Sequence, residues 1–374
     1  MMHALSATMS WSEEQSMLLD TATNFFRDKS TVPDVRRQIE TETGFDSEIW
    51  QEIVDLGWTG LAIPEQFGGS GLGLAAAVSI AEPMGRQLFA SPFQSTQLAI
   101  QALLAGSETQ RTQWLSAFTG QCIGTVAMVE RNGDWDLRAC ECSISIRGET
   151  ALLTGTKTFV LDAPAADIFV VSARCDGAPA VVIVPSSCIP AGALTRQTVI
   201  DQTRRSYELW LDGIEVPAAN LILGDSAGVA LEAVRDAALL LNSAEACGGI
   251  AGALDLVVEY LNTRTQFGRQ IGSYQALKHP CVDILVGLER SRSHLYHAAS
   301  LIQAGRDAQV ALRMAKAESS ESFAFAGDRA VQFHGGFGFT YECDAQLYLR
   351  RAMWCQYNFG DSAHHRKRLA ELLL

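Results

Sequence analysis

The chain has no Cys-x-x-Cys pair. Its nine cysteines are scattered, and the closest two are Cys140 and Cys142. Neither a disulfide framework nor a zinc site follows from that spacing. Reduced cysteines in an apolar chain read instead as small buried hydrophobes of a cytoplasmic protein. Positive charge is also short. Lys and Arg number 29 against 42 Asp and Glu, a formal net charge of −13. A general nucleic-acid binder needs a basic face, so none is expected. Long apolar runs are missing as well. Stretches such as Ala237 to Leu241 fall far short of the ~20 residues a membrane span needs. Residues Met1 to Ser10 show no charged start leading into a long apolar segment, which argues against a secretory signal. The glycine-rich stretch Gly68 to Gly73 lacks a following Lys-Ser or Lys-Thr, so it is not a phosphate-binding loop. His364 and His365 are adjacent, with no third ligand at useful spacing. They read as the basic end of a helix with Arg366 to Arg368, and no metal site is expected.

What is present supports a large folded chain. Apolar residues make up 48% of 374, enough for a sizeable core. The first ~115 residues carry helical periodicity. Ser12-Glu13-Glu14-Gln15 reads as a capping box before Leu18, Leu19, Ala22, Phe25 and Phe26. A second helix is expected from Ser47 through Leu56, stopped by Gly57, and a third from Leu74 to about Gly85. From Cys122 to about Leu223 short β-branched runs alternate with turn residues, which points to antiparallel sheet. Helices return after Gly228, over Leu231–Leu261, Ala276–Gln303, Gln309–His334 and Asp344–Cys355. No internal repeat is visible.

Two segments then stand out. The first is Arg264-Thr265-Gln266-Phe267-Gly268 with Gln275. The second is Gln332-Phe333-His334-Gly335-Gly336-Phe337-Gly338-Phe339. In this order they resemble the flavin adenine-binding signature of the acyl-CoA dehydrogenase family. Leu61 to Gly71, Gly155-Thr156-Lys157 and Asp212 to Leu221 resemble further segments of that family, so the likeness covers nearly the whole chain. It implies an α+β fold: an N-terminal helical domain (residues 1–120), a middle antiparallel β-barrel or sandwich domain (121–225) and a C-terminal four-helix bundle (226–374). It also implies an FAD shared across a subunit interface. Arg264, Phe267, Gln275, Gln332, Gly335 and Gly336 match the adenine and pyrophosphate end. A guanidinium fork suits pyrophosphate, a phenyl ring suits the adenine face, and glycines let backbone approach closely.

The residues matching the flavin-ring end depart from the family. Val129-Glu130-Arg131 stands where Thr-Glu-Pro is usual, Trp135 falls where serine is common, and Phe159 and Leu161 replace a tryptophan and a hydroxyl residue. The reaction itself needs a base for an α-proton of an acyl thioester. The family's usual glutamate position is Phe359, and the alternative position falls at about Ala238; neither side chain can take a proton. Asp361 and Glu245 are the nearest weak substitutes. Asp361 also reads as a helix N-cap, and Glu245 as a core or interface carboxylate.

The resemblance therefore implies a degenerate partner subunit of a heteromeric (α2β2) acyl-CoA dehydrogenase, a type often acting on bulky CoA thioesters such as steroid side chains. A self-sufficient homotetramer with an unorthodox base, a flavin-free scaffold protein and a flavin oxidase relative remain alternatives.

Overall fold

The structure is a computed structural model that describes residues 13–374. The expected capping box begins at Ser12, outside the described residues. The described helices start with α1 (Glu13–Lys29), α2 (Val32–Ile39) and α3 (Ser47–Asp55). Asp46 caps α3 by accepting the N–H groups of Glu48 and Ile49. The helix stops at Leu56, and Gly57 turns away with φ +72°. The helix expected from Leu74 opens as a 3₁₀ turn and becomes α4 over Val78–Arg86. Three helices escaped the sequence pattern: α2, α5 (Phe93–Leu104) and α6 (Glu108–Trp114). Helix α5 is buried on nearly every face although it carries Gln94, Ser95, Thr96 and Gln97. No amphipathic stripe marks such a helix.

The chain forms two compact units. One comprises the described residues up to Arg37, Ala75–Phe89 and Leu239–Leu374; the other comprises Gln38–Leu74 and Ala90–Ala238. The second unit holds the strands. The larger sheet runs β10 (Leu221–Ile222), β6 (Ala178–Pro185), β5 (Ile168–Cys175), β2 (Ser143–Arg147), β3 (Thr150–Thr154) and β9 (Glu215–Pro217), with β1 (Gly124–Ala127) also pairing with β5. A smaller sheet orders β4 (Thr156–Leu161), β8 (Ser206–Trp210) and β7 (Leu194–Gln197).

The large sheet is mixed and not purely antiparallel. Strand β5 pairs parallel with both β1 and β2. Hairpins such as β5–β6, turned by Asp176 and Gly177 with positive φ, are written in local sequence. Parallel partners joined by long crossovers are not.

A buried ion pair braces this unit. Lys157, fully buried, donates from Nζ to Glu130 Oε1 at 2.7 Å and to Ser172 Oγ at 2.9 Å. Burial pushes the Glu130 carboxyl up, but Lys157 and the N–H groups of Cys142 and Glu141 outweigh it and hold it below its ordinary range.

The other unit is helical. Helix α7 (Asp225–Thr263) is long and apolar enough to cross a membrane, in contrast to the apolar-run reading above, but 94% of its most apolar window is buried inside the protein. It crosses α4 at near contact. A Cβ on Gly248 would lie 1.8 Å from Glu82 O, and one on Gly85 would lie 2.0 Å from Glu245 O. Helices α8 (Gln275–Gln303), α9 (Gln309–Phe333), α10 (Ala345–Tyr357) and α11 (Ser362–Leu373) complete it, with α9 packed against α8, α10 and α11.

Candidate functional site

The two C-terminal motifs meet at one end of the helical unit. Helix α7 ends in a two-residue hairpin, β11 (Thr265–Gln266) and β12 (Arg269–Gln270). Phe267 and Gly268 form its turn with φ of +51° and +78°. Gly suits that geometry, whereas a bulky residue there costs about 1–2 kcal/mol. The Phe267 ring stands at this turn, 90% exposed. The hairpin then feeds α8, with Arg269 stacked over Tyr274 at 4.1 Å.

The second motif closes α9. His334 stacks on Tyr260 at 4.1 Å, and the Arg264 N–H donates to Tyr260 O at 2.9 Å. Ile271 and Leu277 share a core cluster with Ala330, Val331 and Phe333. Arg264 and Gly335 therefore flank one aromatic stack.

All six sequence-predicted residues, Arg264, Phe267, Gln275, Gln332, Gly335 and Gly336, are exposed. A Cβ on Gly335 or Gly336 would meet nothing within 4 Å. An exposed guanidinium, a phenyl ring, two amides and bare backbone at one end form a fitting surface for the anionic and aromatic end of a dinucleotide.

The ring-end residues lie in the strand unit, and several polar groups there are bonded within the chain. Phe159, at φ +54° in the β4 bulge, donates its N–H to Gln197 Oε1 at 3.1 Å. The Thr158 hydroxyl accepts from Gln197 Nε2 at 2.6 Å, and Leu161 O accepts from Thr125 at 2.6 Å. Ser206 also donates to Gln197 Oε1. Val129 is buried and Trp135 half-buried. The Phe159 N–H is thus engaged within the chain, and Val129 and Leu161 carry no hydroxyl, so the ring-end residues fit an isoalloxazine poorly.

The family's base position lies on the corner between α10 and α11. Phe359 and Gly360 both have positive φ, +58° and +99°. Asp361 Oδ1 accepts the N–H of His364 at 2.8 Å, as an N-cap does. Replacing Asp361→Asn should therefore change little. Asparagine caps about as well as aspartate, and any turnover should stay within about threefold, because losing a true general base costs roughly 10²–10⁴-fold. A hundredfold loss with an unchanged melting temperature would make Asp361 a proton-transfer group. Glu245 is 1% exposed and ion-paired with the fully buried Arg351.

Several residues here carried no readable signal in sequence. Lys316 is 1% exposed, and burial pulls its ammonium down to about 8 against the opposing charges of Cys355 and Asp361. Burial, with Lys316, His364 and Arg313 nearby, pushes the His365 imidazole down to about 3. It is thus neutral. Its Nε2 donates to Phe359 O at 3.1 Å, and its Nδ1 faces Arg313 at 3.4 Å. Elsewhere in the helical unit a cavity of about 370 Å³ lies over the buried Glu82, which holds Arg292 at 2.7 Å and Tyr296 at 2.8 Å. None of the sequence-predicted residues lines it. Among the described residues no group of three metal-ligating side chains occurs.

Comparison with known proteins identifies the family. Residues 12–121 match the profile described as acyl-CoA dehydrogenase, N-terminal domain, and residues 229–374 match acyl-CoA dehydrogenase, C-terminal domain. The acyl-CoA dehydrogenase IpdE2 of Mycolicibacterium smegmatis is 30% identical over 91% of this chain and 93% of its own length. Among solved structures, the ChsE4–ChsE5 complex of Mycobacterium tuberculosis superposes with TM-score 0.89 at 28% identity, covering 98% of each chain. A variant of the Tcur3481–Tcur3483 steroid ACAD gives 0.85 at 26% identity, over 96% of this chain and 98% of that one. With both terminal profiles matched and a 30% identical relative spanning nearly its full length, the chain belongs to the acyl-CoA dehydrogenase family, FAD-dependent oxidoreductases acting on acyl-CoA.

Proposed function

We propose that this chain is the non-catalytic partner subunit of a heteromeric acyl-CoA dehydrogenase. It completes the adenine end of a neighbouring subunit's FAD site and carries no complete site of its own. Bound FAD supplies the hydride acceptor for dehydrogenation of the thioester. This chain's contribution is to bind and orient: Arg264 toward pyrophosphate, Phe267 toward adenine, and Gln275, Gln332, Gly335 and Gly336 as the remaining wall. The C-terminal division at 226–374 carries all of these groups.

The observation that carries the reading is an asymmetry. The adenine-end groups are exposed and together, whereas the ring-end polar groups are bonded to Gln197 and Thr125. Position 359 offers no carboxylate. Two of the similar solved structures are named as two-component assemblies, one of them a steroid ACAD. Those names support a bulky acyl-CoA as the substrate of the assembly and a heteromeric form for it; the form proposed is a cytoplasmic heterotetramer.

Flavin stoichiometry tests the reading. Expressed alone, the chain should carry little or no FAD. Co-expressed with a catalytic partner, it should give yellow protein with about half of all chains' sites filled, since only one kind of pocket is fully formed. One flavin per chain in a pure homo-oligomer would overturn the partner role and establish a self-sufficient enzyme.

A further inference from the structure

The corner from Cys355 to Asp361 is tied from three helices. From α9, Lys316 Nζ lies 2.8 Å from Cys355 O, 3.2 Å from Gln356 O and 2.9 Å from Gly360 O, with Ser320 Oγ at 3.0 Å. From α7, Asn242 Oδ1 accepts from Asn358 Nδ2 at 3.2 Å. From α11, His365 donates to Phe359 O and Asp361 caps its own helix.

The last carbonyls of a helix have no partner within it and carry partial negative charge. Here they are closed by a cation from a neighbouring helix. The corner also contains a bulky residue in the left-handed region. Such a conformation persists only where its surroundings over-determine it, and it tends to mark functional positions.

We propose that Lys316 is a positioning residue: its ammonium closes the carbonyl end of α10 and locks the backbone of residue 359, so that any side chain at that position is presented in one fixed direction. Lys316 is no substitute base, because an ammonium held on buried carbonyls has no lone pair to accept a proton. The clamp acts on backbone carbonyls and so does not depend on which side chain stands at position 359. The inference rests on the family reading of position 359, but the clamp can be tested without it.

The test is amide hydrogen exchange on the full chain in its assembly. Lys316→Met should speed exchange at residues 358–361 by more than roughly tenfold while the middle of α7 stays protected, because only the corner opens. Lys316→Gln keeps two N–H donors and should show a smaller rise; it also serves if the methionine variant does not fold. A corner as protected as wild type in either folded variant would reduce Lys316 to a space-filling residue.

Discussion

Replacing Glu245→Gln should destabilise the helical unit by about 3 kcal/mol, because breaking a buried ion pair from one side leaves the other charge uncompensated. Arg351 would be that charge: it is fully buried and held by Glu245 and by Leu88 O at 3.2 Å. The measurement is thermal or urea unfolding of the purified assembly. A double variant, Glu245→Leu with Arg351→Met, should recover at least about half of the loss, since apolar pairs of similar volume often replace buried ion pairs without penalty. A single variant as stable as wild type would show that the pair contributes nothing net. The same result bears on catalysis. Any activity lost in Glu245→Gln has to be read against its stability, so an amide at this position is a poor probe for a hidden base. Asp361, half-buried and serving as a cap, is the cleaner probe.

The second large effect concerns the cofactor. Arg264→Ala should weaken flavin binding by the assembly roughly ten- to hundredfold. A charge-assisted contact to a phosphate contributes about 1.5–3 kcal/mol, and each 1.4 kcal/mol is about tenfold in affinity. Arg264 is exposed, so its removal leaves no buried partner stranded and stability should hardly move. Fluorescence titration of FAD into the stripped assembly would measure the change. Unaltered affinity would leave Arg264 as an ordinary surface cation.

Much of this organisation was legible in the sequence, for reasons that differ by element. Helix α3 announced its end through Gly57. The β5–β6 hairpin is written in Asp176-Gly177. The two C-terminal motifs were recognisable as strings, and the stack of Tyr260 on His334 explains why they belong together. What stayed hidden was non-local. The parallel register of Gly124 on Ile168 pairs strands separated by three others, and no turn signal encodes that. Lys316 and Arg351 read as surface charges until the helices around them are seen. Helix α5 hid because its glutamines face a buried surface where the usual pattern puts leucine. The departures at the ring end were legible as substitutions, but Gln197, which bonds Phe159 N–H and Thr158 there, lies on β7, far from any motif.

The division of the chain into interleaved units has a consequence for its synthesis. The unit containing α1 and α4 is completed only by residues from Leu239 onward. At roughly 5–20 residues per second of translation, the stretch between Phe89 and Leu239 takes on the order of ten seconds to emerge. Throughout that interval Ala81, Met84 and Gly85, which end up buried, have no α7 to pack against. The strand unit, by contrast, is whole once Ala238 has left the ribosome. The nascent chain therefore carries two early helices with bare apolar faces ahead of an already assembled sheet, and chaperone capture at that stage would protect it from aggregation.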